Sequence, residues 1–343
     1  MERPSDASRQ AARRRRTNVA LLVLLPLAVA TGLIANAAGT QWGIHPSVFH
    51  GITAFAVLFL APWKQVVVRR SLARRRKPPW VSLLLLLLVL TTLTTGLLHA
   101  GGYQGGFGPL TVMQVHVGGA LVALVLAWFH YRMHPVRFRR VADLNRRTFL
   151  RTGGLAFGAT MVWLSLEGTL DALGLVGGER RFTGSHERGS FDPRGFPVTS
   201  WLDDRVQHID GDAWQLEIEG VAWSLDEILA VPHDSFDAVL DCTSAWYSEQ
   251  TWTGVRLDRL IPDGEHRSFV VNSQTGYARR FPARDAKRLW LVTHVGGEPL
   301  SAGHGFPARI VAPGRRGFWW VKWVTGIQTS DVPWWIQLPF PAT

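Results

Sequence analysis

Five stretches of this chain are apolar enough to leave water and long enough to cross a bilayer. They fall at residues 19–39, about 46–68, 81–98, 112–131 and, more weakly, 152 to about 174. About 20 apolar residues in a helix span a ~30 Å hydrocarbon core, so the first four qualify without difficulty. The fifth is Gly-rich and carries Glu167 and Asp171 near its end, which makes it the least hydrophobic. The fold this predicts is a membrane bundle of five transmembrane helices followed by a separate soluble domain. A cleaved signal peptide over residues 1–39 fits less well, because further apolar spans follow and no small-residue cleavage site stands out.

Charge fixes the expected orientation. Residues 1–151 carry a balance of +17 and residues 152–343 one of −6, so the net charge of +11 belongs entirely to the first part. The basic residues cluster in the N-terminal tail (residues 1–18), between spans two and three (64–77) and between spans four and five (132–151). The connections TQWGIH and GGYQGGFGP have none. Lys and Arg concentrate on the cytoplasmic side, which predicts a multi-pass cell-membrane protein. Its N-terminus is then cytoplasmic, and everything after about residue 176 is extracytoplasmic or periplasmic. The acidic balance of the C-terminal part excludes nucleic acid as a partner. The expected organisation is a tail (1–18), a four-helix module (19–134), a cytoplasmic loop (135–151), a fifth helix (152–176) and an extracytoplasmic domain (180–343).

Within the cytoplasmic loop, N-R-R-T-F-L-R at 145–151 precedes the weak fifth span. This resembles a twin-arginine export signal, the address of domains translocated already folded, and implies the twin-arginine translocase as a partner. The plainer reading makes Arg146 and Arg147 two more positive-inside residues.

Ionisable side chains are expensive inside a bilayer and mark function there. His45, His50, His99 and His116 all lie toward the predicted outer face. Two imidazoles on different helices of a four-helix bundle are what a b-type haem requires. Glycine beside His50 and His116 would let a flat macrocycle approach the backbone. The expectation is one haem b ligated by His50 and His116, with His99 as the alternative ligand. A quinone pocket, or histidines bonding between helices, is the competing reading. His130 follows His116 by 14 residues, but the matching position after His50 is Lys64, so His130 and His134 are expected to be interfacial.

After residue 180 the chain turns into short β-rich runs between Gly, Pro and Asp turns: WQLEIEG, FDAVLDC, SFVVNS, RLWLVTHV, PARIVAP and GFWWVKWVTGI. The best helix signal is WSLDEILAV, with Ser224 as its N-cap. This predicts an α+β, mostly-β domain. Its one cysteine, Cys242, excludes any intrachain disulfide.

Three blocks then stand in order. They are FTGSHERGSF at 182–191, DCTSAW…WTGVRL at 241–257 and GGEPLSAGHGFPARIVAPGRRGFWWVKWVTGI at 296–327. Together they resemble the sulfite-oxidase-type molybdopterin domain, and are similar to the catalytic subunits of bacterial periplasmic methionine-sulfoxide reductases. Those subunits pair with a separate haem-containing membrane protein; here a similar four-helix module would be fused in one chain.

The resemblance implies Mo-molybdopterin as cofactor, with the Cys242 thiolate on molybdenum. It also implies His304 and Arg309 on the pterin and its phosphate, Lys322 near the phosphate, and Thr183, His186 and Glu187 in a first cofactor-touching segment. Without the motif, Cys242 would read as a small buried hydrophobe, and Arg309 and Lys322 as a solvated strand face. Trp319, Trp320, Trp323, Trp334 and Trp335 read as core or membrane-interface residues. Thr293 falls at the position matched to an active-site tyrosine of sulfite oxidases, which argues against the familiar sulfite site.

The implied function is oxygen-atom transfer from a small or protein-bound S-oxide or N-oxide, with electrons from the quinol pool through a membrane haem. The alternatives are a sulfite-type dehydrogenase passing electrons to quinone, and a cofactor-free membrane sensor or assembly protein.

Overall fold

The computed structural model describes residues 6–73, 80–108, 110–136, 145–201, 204–261 and 264–341. Of the basic residues counted above, Arg3, residues 74–77, Arg137, Arg139 and Arg140 lie outside the described residues. The chain divides into two compact units, Met1–Ala35 with Trp42–Gly184 and Asn36–Gln41 with Ser185–Thr343.

The first unit is helical: α1 (Asp6–Ala37), α2 (Ile44–Ala73), α3 (Trp80–Ala100), α4 (Val112–Met133) and α5 (Arg146–Ala172). Among the described residues these five helices are long and apolar enough to cross a membrane. Their exposed side chains include Leu84, Leu87, Leu90, Trp128 and Phe129, the inverse of a water-soluble helix surface. Helix α3 packs on α4 and α2 on α5. Small residues let the axes close up. A Cβ on Gly51 would stand 2.2 Å from the Trp163 ring, and one on Gly119 3.0 Å from Thr92 Oγ1. Phe55, Ala56 and Ala159 form the buried seam between α2 and α5.

Two details differ from the sequence reading. The α3–α4 connection is a small hairpin, β1 (Gly106–Phe107) with β2 (Leu110–Thr111), ending in a capping box between Thr111 and Gln114. Helix α5 starts at Arg146, with Asn145 as N-cap, so Arg146 and Arg147 occupy its first turn. A helix N-terminus disfavours cations, so this pair does not serve helix stability. Near the other end, Glu167 is ion-paired with Arg180, which also donates to the Ala100 carbonyl at 3.2 Å.

The second unit is built from β3 (His186–Glu187), β4 (Gln215–Ile218), β5 (Val221–Ser224), α6 (Leu225–Ala230), β6 (Asp234–Asp241), β7 (Trp246–Arg256), β8 (Ser268–Ser273), β9 (Ala278–Pro282), β10 (Trp290–Val295), β11 (Glu298–Pro299), β12 (Arg309–Val311) and β13 (Val324–Ser330). One sheet runs β11-β10-β7-β3, with β6 also on β7 and β12 also on β10; the other runs β5-β4-β13-β8-β9. Alternating apolar residues, among them Trp252, Val255, Phe269, Val271, Leu291 and Ile327, form one core. Helix α6 begins at the predicted Ser224, whose hydroxyl and the Glu227 carboxylate form a capping box.

The GFWWVKWVTGI run is not a single strand. Gly317–Trp319 is a 3₁₀ turn, Trp323 has φ 51°, and pairing begins at Val324. Trp319, Trp320 and Trp323 are core, while Trp335 is exposed.

Candidate functional site

Cys242 lies where β6 turns into β7. Its N–H donates to the Trp246 carbonyl (2.8 Å), and Ala245 takes the left-handed conformation (φ 72°) that closes the turn. The side chain is buried, and the Ser244 N–H donates to Sγ at 3.4 Å. Burial pushes the Cys242 thiol up from its ordinary range; the bonds from Ser244 and the charge of Arg316 work against that rise.

A buried network missing from the sequence reading holds this turn from behind. Ser185 Oγ donates to Asp241 Oδ1 (2.7 Å). Arg316 is ion-paired with Asp241 and donates to the Cys242 carbonyl (3.0 Å) and to Ser185 Oγ (3.2 Å). Arg316 and Asp241 are 75 positions apart, so no local pattern announces them.

Beside His304, two cationic side chains, Arg309 and Lys322, meet at Gly305. This residue has φ 107°, and a Cβ there would stand 3.1 Å from the Cβ atoms of both Arg309 and Lys322. Arg309 is 1% exposed, not on a solvated strand face. It donates to the His304 carbonyl (3.0 Å), lies over the Trp252 and Trp320 rings, and leaves its buried Nε without a partner. Lys322 Nζ donates to the carbonyls of Thr199 (3.0 Å) and Gly303 (2.6 Å). Neither is in an ion pair among the described residues.

Burial lowers Arg309 to about 9. Burial and then the Arg309 charge lower Lys322 to about 7. His304 is lowered to about 4, by burial first and then by Arg309 and Lys322. Its ring stacks on Phe196 and both nitrogens are engaged, Nδ1 with Ser301 Oγ (2.9 Å) and Nε2 with the Phe196 carbonyl (3.2 Å). Buried cations that donate to backbone carbonyls and form no ion pair among the described residues, with an orphan guanidinium N–H, fit an anionic ligand such as a phosphate.

Of the first segment, Thr183 is partly buried and His186 fully, the latter in β3 beside Trp246. Glu187 points outward, its carboxylate accepting from the Ser190 N–H (2.7 Å).

Thr293 requires a correction. It sits at a register shift of β10 beside Thr253, and Thr253 pairs with Ser235 at the start of β6. The Asp234–Asp241 strand puts that point roughly 20 Å or more along the sheet from Cys242, at about 3.3 Å per residue. Its hydroxyl meets His294 Nδ1 (2.9 Å) and His233 Nε2 (3.4 Å) beside a cavity of about 480 Å³. The threonine therefore says nothing about chemistry at Cys242.

In the helical unit the structure brings His50 and His116 together, rings edge to face with centroids 5.8 Å apart. Each Nδ1 meets a backbone carbonyl at 2.8 Å, Ala28 for His50 and Thr92 for His116. That contact makes Nδ1 the protonated nitrogen and leaves Nε2 with its lone pair, the arrangement of a ligand oriented by its second hydrogen bond. Gly32 and Gly96 crowd the rings, since a Cβ on either would lie within 3.0 Å of ring atoms. His50 and His116 would be the residues to hold a haem iron, through these two Nε2 atoms. His99, the alternative ligand, instead turns Nε2 to the Gly184 carbonyl (2.7 Å). His130 stacks on His134, centroids 5.0 Å apart, and approaches Ser82 Oγ at 3.3 Å.

Residues 203–335 match the family model of the oxidoreductase molybdopterin binding domain. The chain is 29% identical over 164 residues to the mitochondrial sulfite oxidase of Drosophila melanogaster, covering 37% of this chain and 29% of that protein. It is 29% identical over 146 residues to "Uncharacterized oxidoreductase YuiH" of Bacillus subtilis (strain 168), 39% of this chain and 73% of that one. It is 25% identical over 150 residues to "Putative protein-methionine-sulfoxide reductase subunit YedZ1" of Azospira oryzae, 40% of this chain and 57% of that one. Residues 203–335 thus form an oxidoreductase molybdopterin binding domain, and the chain spans under a third of the length of the fly enzyme it is similar to.

Proposed function

We propose that this chain, an oxidoreductase through its molybdopterin-binding domain, is a membrane-anchored enzyme that exchanges electrons with the quinone pool. The observation that carries the reading is the pair of buried cations Arg309 and Lys322, which form no ion pair among the described residues and stand with Cys242 in one domain. Bound there, the molybdenum cofactor supplies two-electron oxygen-atom transfer. The protein's part is to hold the metal through the Cys242 thiolate, to fix the Cys242 carbonyl with Arg316, and to neutralise the cofactor phosphate with Arg309 and Lys322. A metal ligand must be deprotonated, so loading releases the Cys242 proton.

His50 and His116 would hold a haem b between the quinone pool and this domain, and the five apolar helices would anchor it to the bilayer. The arginine pair at 146–147 would send the loaded domain through the twin-arginine translocase to the extracytoplasmic side. The preferred direction is reduction of an S-oxide or N-oxide by quinol. Similarity to a protein named as a methionine-sulfoxide reductase subunit supports it. Similarity to sulfite oxidases supports the reverse flow, sulfite-type oxidation with electrons to quinone. The cofactor-free sensor is disfavoured, because it leaves the two buried cations unexplained.

The test is molybdenum and haem b content in one detergent preparation from a host that makes molybdopterin. About one of each is expected. Cys242→Ser should abolish molybdenum and keep the haem, while His50→Ala or His116→Ala should abolish the haem absorbance and keep molybdenum. Haem without molybdenum in the unaltered, exported chain would sink the enzyme reading. Molybdenum without haem would turn the histidine pair into helix packing. Quinol-driven consumption of S-oxides against sulfite-driven quinone reduction then decides direction.

A further inference from the structure

The last described segment of the β-rich unit leaves Trp335, Ile336 and Leu338 exposed while its one amide side chain is half-buried. Gln337 is turned inward, where Oε1 accepts from the Arg280 N–H (3.1 Å) and Nε2 donates to the carbonyls of Arg280 and Trp334 (2.7 Å each). Its neighbours Trp335, Ile336 and Leu338 are 65%, 52% and 61% exposed, and Val332 is exposed as well. The backbone is held in this pose. Arg279 donates to the Leu338 carbonyl (3.2 Å), Trp201 Nε1 to the Pro341 carbonyl (3.1 Å), and the Ile336 N–H to the Pro333 carbonyl (3.0 Å). Residues 332–341 contain no Lys, Arg, Asp or Glu. An ordered, uncharged segment that spends its one amide inward while showing Trp, Ile and Leu is built for a surface that is not water.

The chain itself says which surface. Only the 12 residues 173–184 separate the end of α5 from Ser185, a reach of at most about 40 Å. A domain tethered that closely to a membrane-spanning helix meets lipid at a permanently high effective concentration. Tryptophan beside aliphatic residues is the composition that partitions to the bilayer interface. We propose that residues 332–338 form an interfacial docking element, with Trp335, Ile336 and Leu338 seated among lipid headgroups and the first acyl carbons. This rests on reading the five helices as membrane spans.

The test is spin-label accessibility in the full, cofactor-loaded chain reconstituted into phosphatidylcholine/phosphatidylglycerol nanodiscs. Labels go on Ile336→Cys and Leu338→Cys. Leu87→Cys, exposed on α3, serves as the membrane reference and Val221→Cys, exposed on β5, as the water reference. Cys242 is buried, and the unsubstituted chain corrects for any label it takes. The ratio of oxygen to water-soluble nickel-chelate collisions should be several-fold higher at 336 and 338 than at 221, approaching that at 87.

Nickel-dominated collisions at 336 and 338, with oxygen dominating at 87, would overturn the docking element and leave the spans standing. Nickel dominance at 87 would overturn the spans and the docking element together. Dipolar broadening at 336 that vanishes on dilution with unlabelled chain would assign the patch to a second copy, and overturn lipid as its occupant. Oxygen dominance at 221 as well would reflect the label's own partitioning and would also overturn the proposal.

Discussion

Arg316 and Asp241 are a buried ion pair whose removal is measurable. Arg316→Met takes the cation away from the enclosed Asp241 carboxylate, and breaking such a pair costs about 3–5 kcal/mol. The expected outcome is a clear fall in the unfolding temperature of the domain, partly restored by adding Asp241→Asn, with molybdenum content as a second readout. The proposed cofactor cradle has a pH signature. Lys322 at about 7 lies below its ordinary 10.5, so between those values the empty folded domain binds fewer protons than the unfolded chain. Stability of cofactor-free protein therefore rises with pH across that window, and the penalty is complete below about 7. His304, at about 4 against 6.5, acts in the same direction between those two values. Thermal scans from pH 6.5 to 9 should show the rise, and Lys322→Met should flatten it; an unchanged profile would remove the desolvated lysine from the account. Cys242, His50 and His116 were legible as candidates because a thiol in a motif and imidazoles in apolar runs stand out. Their supports were not, since the carbonyls of Ala28 and Thr92 leave no mark in a sequence and Arg316 is distant from Asp241.

Elements followed the sequence wherever the hydrophobic period was clean. Helix α6 began at its cap, and Ser224→Ala should cost about 1 kcal/mol of domain stability, readable by chemical denaturation of the cofactor-free protein. The longest strand, β7, escaped notice because its inward positions include Ser248 and Gln250. Both donate to the Gly189 carbonyl, at 3.1 and 2.6 Å, so the face that should read apolar reads polar. The tryptophan-rich run misled in the opposite sense. Its aromatic density suggested a strand, but buried indole N–H groups need acceptors. Trp320 Nε1 finds the Arg315 carbonyl (3.1 Å) and Trp323 Nε1 that of Ala302 (2.8 Å), and the backbone bends to deliver them.

For the whole molecule, the change after residue 180 from long apolar runs to short β-rich ones marked a helical part and a β-rich part. The boundary of the compact unit falls at Ser185, a few residues beyond the composition change. Topology remains a prediction with a direct check: an N-terminal tag should be shielded in intact cells while the molybdopterin domain is open to added protease. Arg146→Lys with Arg147→Lys should retain that domain inside; unimpaired exposure would reduce the arginine pair to ordinary loop charge. The crowding of Arg309 and Lys322 around Gly305 has a consequence for the cell. Whatever neutralises those cations stabilises the folded form in proportion to its own supply. A cell short of the cofactor should accumulate less of this protein rather than a stock of idle copies, so its steady-state abundance becomes a gauge of cofactor synthesis.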